Sequence, residues 1–379
     1  MIKVLAINGS RSDWGYFKPI IDASSANENI QIDLMHCNMS PLNSFGSLSH
    51  QVEAEGYEVK FKIFNAYFGD NDYATAKSIG SLISSISDIL ANNVYDWVLL
   101  AGDRSEQLAA ASAASFMHIP IAHIQAGEKS GNIDGITRHV LGKMANIHFA
   151  ANVDAQSRLI KLGEEDWRIK LTGAPQLDDI FSHEDNKSFI NKYALRNIDY
   201  YVCIMHSDTE YLLETRIVFS ELLDILTKRD SPVFFILPNN DAGGNIIREN
   251  ILSNLRKNDV VFENLQRNNF LTLLNNCNAL IGNSSCGILE APLFKIPAIN
   301  IGLRQESRFR GSNVIDCGFD KDQLKSSFDI LESEEFSFKL KAVKSVYGDG
   351  PAAEKIIQNL LGVYAKHTKK EILNRDITV

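Results

Sequence analysis

The chain has 379 residues, 45% of them hydrophobic and 22% charged, with a formal net charge of -9. That length and apolar share suit two domains with ordinary cores, and the acidic balance without any basic block argues against a nucleic-acid partner. Five cysteines, Cys37, Cys203, Cys277, Cys286 and Cys317, lie apart without metal-ligand spacing and mostly inside apolar runs, as expected of reduced core thiols in a cytoplasmic protein.

From the N-terminus, residues 1–7 form an apolar run that Gly9-Ser10-Arg11 interrupts too soon for a signal peptide or a membrane span. The run is expected to be a first β-strand. Strands follow at 32–36, 97–100, 121–124 and 147–150, separated by helical spacing of apolar residues over 73–92 and 104–116. After Thr172-Gly173-Ala174-Pro175 comes a polar, linker-like stretch containing Asp178 and Asp179. The same alternation then restarts, with strands expected at 200–205, 233–237, 260–263, 279–281 and 298–301. This is the pattern of parallel βαβ units. It predicts an α/β fold of two Rossmann-like, doubly wound domains over residues 1–175 and 176–360, with the site in the cleft at the carboxyl ends of both sheets. A C-terminal tail, 361–379, is expected to cross back to the first domain.

The most informative stretch is Gly282-Asn283-Ser284-Ser285-Cys286-Gly287, continuing to Glu290 and followed by Gly302-Leu303-Arg304-Gln305. Small residues and hydroxyls at a strand-to-helix turn let backbone N–H groups meet an anion at the positive end of a helix. Glu290, six residues after Ser284, can accept hydrogen bonds from the vicinal hydroxyls of a ribose. A capped helix with a structural glutamate has the same composition. Gly9-Ser10-Arg11-Ser12-Asp13-Trp14-Gly15 is either a phosphate loop or a plain βα turn. Asp103, in Gly102-Asp103-Arg104, falls at a strand's carboxyl end, where it lines a crevice or caps a helix. Glu128 and Asp134 stand six residues apart on a glycine-punctuated loop. Paired carboxylates in a partly dry cleft can hold different protonation states and divide the work of base and acid, while a solvated charged loop has the same residues. His206 ends the strand at 200–205, placed to bind phosphate, relay a proton or serve structure alone.

In their order and spacing these pieces resemble the UDP-N-acetylglucosamine 2-epimerase family, in its hydrolysing branch. The matched motifs are GSRSDWG, the Gly102-Asp103-Arg104 run, HIQAGE at 123–128 with SGNID and Arg138-His139, Met205-His206, PNNDAGG at 238–244, GNSSCGILEAP at 282–292 and GLRQ at 302–305. The resemblance implies a glycosyltransferase-B-like fold that binds a UDP-sugar, mainly through the second domain, and needs neither metal nor nicotinamide cofactor. It implies substrate contacts from Arg11, Arg138, Ser284, Ser285, Gly287, Glu290 and Arg304, and catalytic roles for Asp103, Glu128, Asp134 and His206. It further implies elimination of UDP to a 2-acetamidoglucal, hydration to the inverted free sugar, and a homodimer without membrane attachment.

The chain also departs from the family. Gly135 occupies the position of a usual second acid, Trp14 a usual tyrosine position, and Gln125-Ala126 a place of smaller or glycine-rich residues. Two substrates follow as expectations: UDP-N-acetylglucosamine, in sialic-acid-type synthesis, and UDP-2,4-diacetamido-2,4,6-trideoxyglucose, in legionaminic-type synthesis. GSRSDWG and GNSS, in place of the stricter arginine-and-proline loop and the aspartate before the serine found in non-hydrolysing relatives, point to hydrolysis. A UDP-sugar glycosyltransferase of the same architecture is the alternative from another mechanistic class.

Overall fold

The computed structural model describes residues 1–42, 47–67, 72–129, 133–208, 210–238, 243–263 and 265–374, with only the backbone described for Arg11, Asp72 and residues 133–135. Two compact units appear. The first comprises Met1–Asp179 and Gly350–Val379, and the second Ile180–Asp349.

The first unit is built on a sheet of seven strands, β1 (Ile2–Asn8), β2 (Ile30–His36), β3 (Val59–Lys62), β4 (Trp97–Ala101), β5 (Ile121–Ile124), β6 (Ile147–Ala150) and β7 (Ile169–Leu171). All pair in parallel, in the order β3-β2-β1-β4-β5-β6-β7. The central strands are apolar on both faces because helices cover both sides, as parallel crossovers require. One face carries Val4, Phe17, Trp97 and Leu99, and the other Leu5, Ile7, Leu82, Ile86 and Leu100. The chain runs outward from β1 to β3, then returns to place β4 on the other side of β1. That reversal opens a crevice at the carboxyl ends of β1 and β4.

The second unit repeats this plan with β8 (Tyr201–Ile204), β9 (Val233–Ile236), β10 (Val260–Phe262), β11 (Ala279–Gly282), β12 (Ala298–Ile301) and β13 (Val314–Cys317), all parallel in the order β10-β9-β8-β11-β12-β13. Its reversal lies between β8 and β11. The expected doubly wound halves are thus present. Three strands the sequence did not announce, β3, β7 and β13, are all edge strands. Such strands lack a continuous apolar run because one edge faces away from the sheet.

Both boundaries of the second unit differ from the expected 176–360, the later one by more, since the unit starts at Ile180. The second unit ends at Asp349, and the helix Ala352–Lys366 belongs to the first. Its apolar residues Ala353, Ile356, Ile357, Leu360 and Val363 share a core with Phe17 and Trp97. Asp178, which looked like linker, accepts hydrogen bonds from the N–H groups of Ala352 and Ala353, both at 2.7 Å, and so caps this returning helix. Buried Arg168 then donates to the carbonyls of Ile372 at 2.8 Å and Asn374 at 2.6 Å, fixing the terminal turn.

All five cysteines are free and buried. Burial raises the Cys203 and Cys286 thiols to about 12 and the Cys317 thiol to about 11, so these are apolar fillers rather than nucleophiles. Among the described residues no helix is long and apolar enough to cross a membrane.

Candidate active site

In the first unit, three carboxyl ends supply the polar groups. Gly102 turns the chain after β4 with φ +74°, and His123 Nε2 on neighbouring β5 donates to the Gly102 carbonyl at 2.6 Å. Burial lowers His123 to about 3, so the ring is neutral and its protonated nitrogen pins that turn. Asp103 follows, and its carboxylate accepts from Arg138 Nη2. Arg138 lies on the helix Ile133–Met144 and is 7% exposed. Burial alone would lower its pKa, but the charges of Asp103 and Glu128 outweigh that and raise it. The guanidinium also donates from Nη1 to the Gln125 carbonyl at 2.7 Å and stands 3.9 Å from Glu128 Oε2. Two predicted acids, Asp103 and Glu128, therefore share one buried cation, with side chains 18% and 10% exposed.

Glu128 is set by the turn after β5. Gly127 has φ +78°, and a Cβ there would lie 2.5 Å from the Ala155 carbonyl oxygen, so only glycine fits. Asn152, the N-cap of the helix Val153–Lys161, accepts from the Ala155 N–H and donates to Glu128 Oε1 at 3.2 Å. Gln125 has φ +60°, a conformation that costs a non-glycine residue about 1–2 kcal/mol. With its amide turned so that both ends are satisfied, the nitrogen donates to Glu128 Oε2 at 2.8 Å and Oε1 at 3.1 Å, and the oxygen accepts from Gln176 Nε2 at 2.8 Å.

The stretch Gly9 to Gly15 is a capped helix start. Ser10 caps the helix Arg11–Ser24, and Asp13 accepts from the N–H groups of Gly9 at 2.9 Å and Ser10 at 3.1 Å, forming a capping box. Those two amides are thus engaged by the chain's own carboxylate, which favours the plain-turn alternative over a phosphate loop. Buried Glu106 lies beneath Gly9 and accepts from Asn38 at 2.9 Å and Arg104 at 3.1 Å. Burial and then the nearby Glu106 charge raise Asp13 to about 7, while Glu106 itself, despite burial, is lowered by Arg104 and Asn38. The side chains of Arg11 and Asp134, and residues 130–132 of SGNID, lie outside the described residues, as do 239–242 of the 238–244 motif.

In the second unit the crevice is made largely of backbone. Gly282 has φ +136°, and a Cβ there would sit 2.0 Å from the Ile204 carbonyl oxygen, so β8 and β11 meet only over a glycine. Asn283, 1% exposed, accepts from the His206 N–H at 2.7 Å and donates to the His206 carbonyl at 2.8 Å. The Asn283 carbonyl in turn accepts from Gln305 at 3.1 Å and Arg304 at 3.4 Å. Asn283 therefore joins His206 and Arg304, at the ends of different strands, into one group.

The helix expected after Ser284-Ser285 is a single turn, Cys286–Leu289, continued as a 3-10 turn at Ala291–Phe294. Pro292 and the close packing of Gly287 against Ala298 and Leu280 leave no room for a longer cylinder. The macrodipole argument is correspondingly weak, and Gly287 has a packing reason for its size. Glu290 is 9% exposed; Oε1 accepts from Arg267 at 2.8 Å, while Oε2 is buried with no partner among the described residues. A buried carboxylate oxygen without a donor is costly to the free protein and suits a ligand hydroxyl.

His123, Gln125, Asn152, Gln176, Arg267 and Asn283 are positioning residues to which the sequence alone assigned no such role. Only Asn283 had a local signal, a polar residue directly after the strand glycine.

Two all-parallel α/β units with polar groups gathered where each strand order reverses define a glycosyltransferase-B-like protein. A family model described as UDP-N-acetylglucosamine 2-epimerase matches residues 22–361, and the chain belongs to that family. It is 29% identical over 379 residues to the UDP-N,N'-diacetylbacillosamine 2-epimerase (hydrolyzing) of Legionella pneumophila, covering 98% of each chain. It is 31% identical over 346 residues to the GDP/UDP-N,N'-diacetylbacillosamine 2-epimerase (hydrolyzing) of Campylobacter jejuni, covering 88% of each. The fold matches the crystal structure of UDP-GlcNAc 2-epimerase from Neisseria meningitidis bound to UDP-GlcNAc with a TM-score of 0.80 and 19% identity, over 95% of this chain and all of that one.

Proposed function

We propose that the protein is a hydrolysing 2-epimerase of a UDP-2-acetamido sugar, and that its substrate is UDP-2,4-diacetamido-2,4,6-trideoxyglucose, the diacetylbacillosamine nucleotide. The two hydrolysing relatives support that substrate. The observation that carries the chemistry is the pair Asp103 and Glu128 sharing buried Arg138.

In this reading the first unit performs proton transfer and the second holds UDP. A carboxylate takes the C2 proton, the C1–O bond to the diphosphate breaks, and a C1–C2 double bond forms, giving the 2-acetamidoglucal and UDP. Water then adds its oxygen to C1 while a proton returns to C2 on the opposite face, releasing the 2-epimeric free sugar. Asp103, Glu128 and Asp134 are the candidate acids and bases. The C2 proton is weakly acidic, so the leaving diphosphate must be stabilised as it departs. His206, Arg304, Arg11, Ser284 and Ser285 are assigned to that charge, and Glu290 to the ribose through its unbonded Oε2. The enzyme is proposed to act in the cytoplasm as a homodimer.

The test is an NMR time course in deuterated water with each UDP-sugar in turn. UDP release with C2-deuterated free 2-epimer from the diacetamido substrate is the expected outcome. The same pattern with UDP-N-acetylglucosamine alone moves the substrate to the other expectation. Transfer of the sugar to an added acceptor, with no glucal or deuterium at C2, overturns the epimerase reading in favour of a glycosyltransferase.

A further inference from the structure

Gln125 has two properties that a plain turn after β5 does not require. Its backbone is left-handed at φ +60°, where glycine would be unstrained, and its side chain is buried at 3% exposure. Both are explained by what it touches. Its carbonyl accepts from Arg138, whose other arm holds Asp103. Its amide bridges Glu128 and Gln176. One residue thus restrains the shared cation through its backbone and one of the acids through its side chain.

The direction of the amide matters chemically. An amide nitrogen facing a carboxyl favours the ionised form, because only a carboxylate accepts at both oxygens, whereas an amide oxygen there would require a protonated acid. The distal Gln125 atom lies 2.8 Å from Gln176 Nε2 and 3.2 Å from Gln176 Oε1, so the closer contact pairs the Gln125 oxygen with the Gln176 nitrogen, and only this orientation gives both Glu128 oxygens a donor from Gln125.

We propose that Gln125 is a positioning residue that holds Glu128 ionised and aimed, so that Glu128 enters the reaction as its proton acceptor. The inference rests on the reading above in which Glu128 performs acid–base work. Among the described residues, the other groups facing Glu128 include Arg138 from the helix Ile133–Met144, Asp103 across that guanidinium, and Asn152 and Arg158 from the next helix and its cap, Arg158 donating to the Gly127 carbonyl. Neutral His123 sits on the strand behind. Gln125 makes shorter contacts to the carboxylate than Asn152 does, at 2.8 against 3.2 Å.

Two variants test this. Gln125→Gly removes the amide while suiting the left-handed backbone, and Gln125→Asn keeps a shorter amide in a residue that tolerates φ > 0. The readouts are the pH profile of kcat and, independently of turnover, the carboxyl titration of Glu128 in 13C-glutamate-labelled protein, with Glu128→Gln identifying the resonance. In Gln125→Gly the Glu128 titration and the acid limb of the profile move to higher pH, kcat falls on the order of 100-fold, and KM stays close to the parent's. A parental titration and profile in Gln125→Gly overturn the proposal, even if the protein is less stable. If Gln125→Gly does not fold, Gln125→Asn is judged by the same two outcomes. Parental turnover in Glu128→Gln would instead overturn the catalytic reading of Glu128, leaving the titration to decide whether Gln125 sets its charge.

Discussion

The two crevices occupy equivalent places in their sheets yet are furnished in opposite ways. In the first unit, charged side chains satisfy one another: Asp103 and Glu128 share Arg138, and Gln125, Asn152 and His123 hold the ring of contacts in place. In the second, backbone and Asn283 join His206 to Arg304, and Glu290, held by Arg267, keeps a buried oxygen with no donor among the described residues. Two carboxylates fixed on one buried cation suit chemistry, which needs groups held in place before substrate arrives. Unsatisfied acceptors suit binding, because the ligand supplies what the free protein lacks.

The sharpest way to break this contrast is Glu128→Gln, expected to lower turnover by roughly 100- to 10,000-fold while UDP affinity, measured by calorimetry, stays at the parental level. Equal losses in both would mean that the units do not divide the work. Gly282→Ala is next: its methyl group would need the space of the Ile204 carbonyl and a backbone at φ +136°. A stability loss of more than about 2 kcal/mol is expected in denaturant unfolding. Glu290→Ala is expected to weaken UDP binding about tenfold, with kcat at saturation unchanged; a fall in kcat instead would assign Glu290 to the chemistry.

The last effect concerns acidity. Asp13 is raised to about 7 in the folded protein from an ordinary 3.8, first by burial and then by Glu106. The folded state therefore binds a proton that the unfolded state releases, so this contribution to stability is fully present below pH 3.8 and is lost as pH rises through about 7. Asp13→Asn, which keeps an acceptor for Gly9 and Ser10, is expected to flatten the stability profile between pH 4 and 7 by a few kcal/mol at most.

Much of this architecture was legible because central parallel strands are short apolar runs, as in Trp97–Ala101 and Ala279–Gly282. Edge strands such as Val59–Lys62 interleave lysines with apolar residues and gave no such signal. Asp103 was legible as an acid at a strand end and Glu128 as one on a glycine-punctuated loop, and Arg138, expected to contact substrate, is buried as their common partner. Gln125, Asn152 and Gln176 were not, since nothing local distinguishes an amide that meets a carboxylate from one that meets water. The single-turn helix after Ser285 was misjudged for a related reason: a cap composition marks where a helix starts, and the sheet packing at Gly287 decides how far it continues.

The return of Ala352–Lys366 to the first unit has a consequence for how the chain is made. The second unit, Ile180–Asp349, is a continuous insertion, so it can complete its core while still attached to the ribosome. The first unit, though begun earlier, must wait for its last helix before Phe17 and Trp97 are covered. Translation order and folding order are thus reversed between the two halves, and the apolar face around Trp97 is the surface a nascent-chain chaperone would meet.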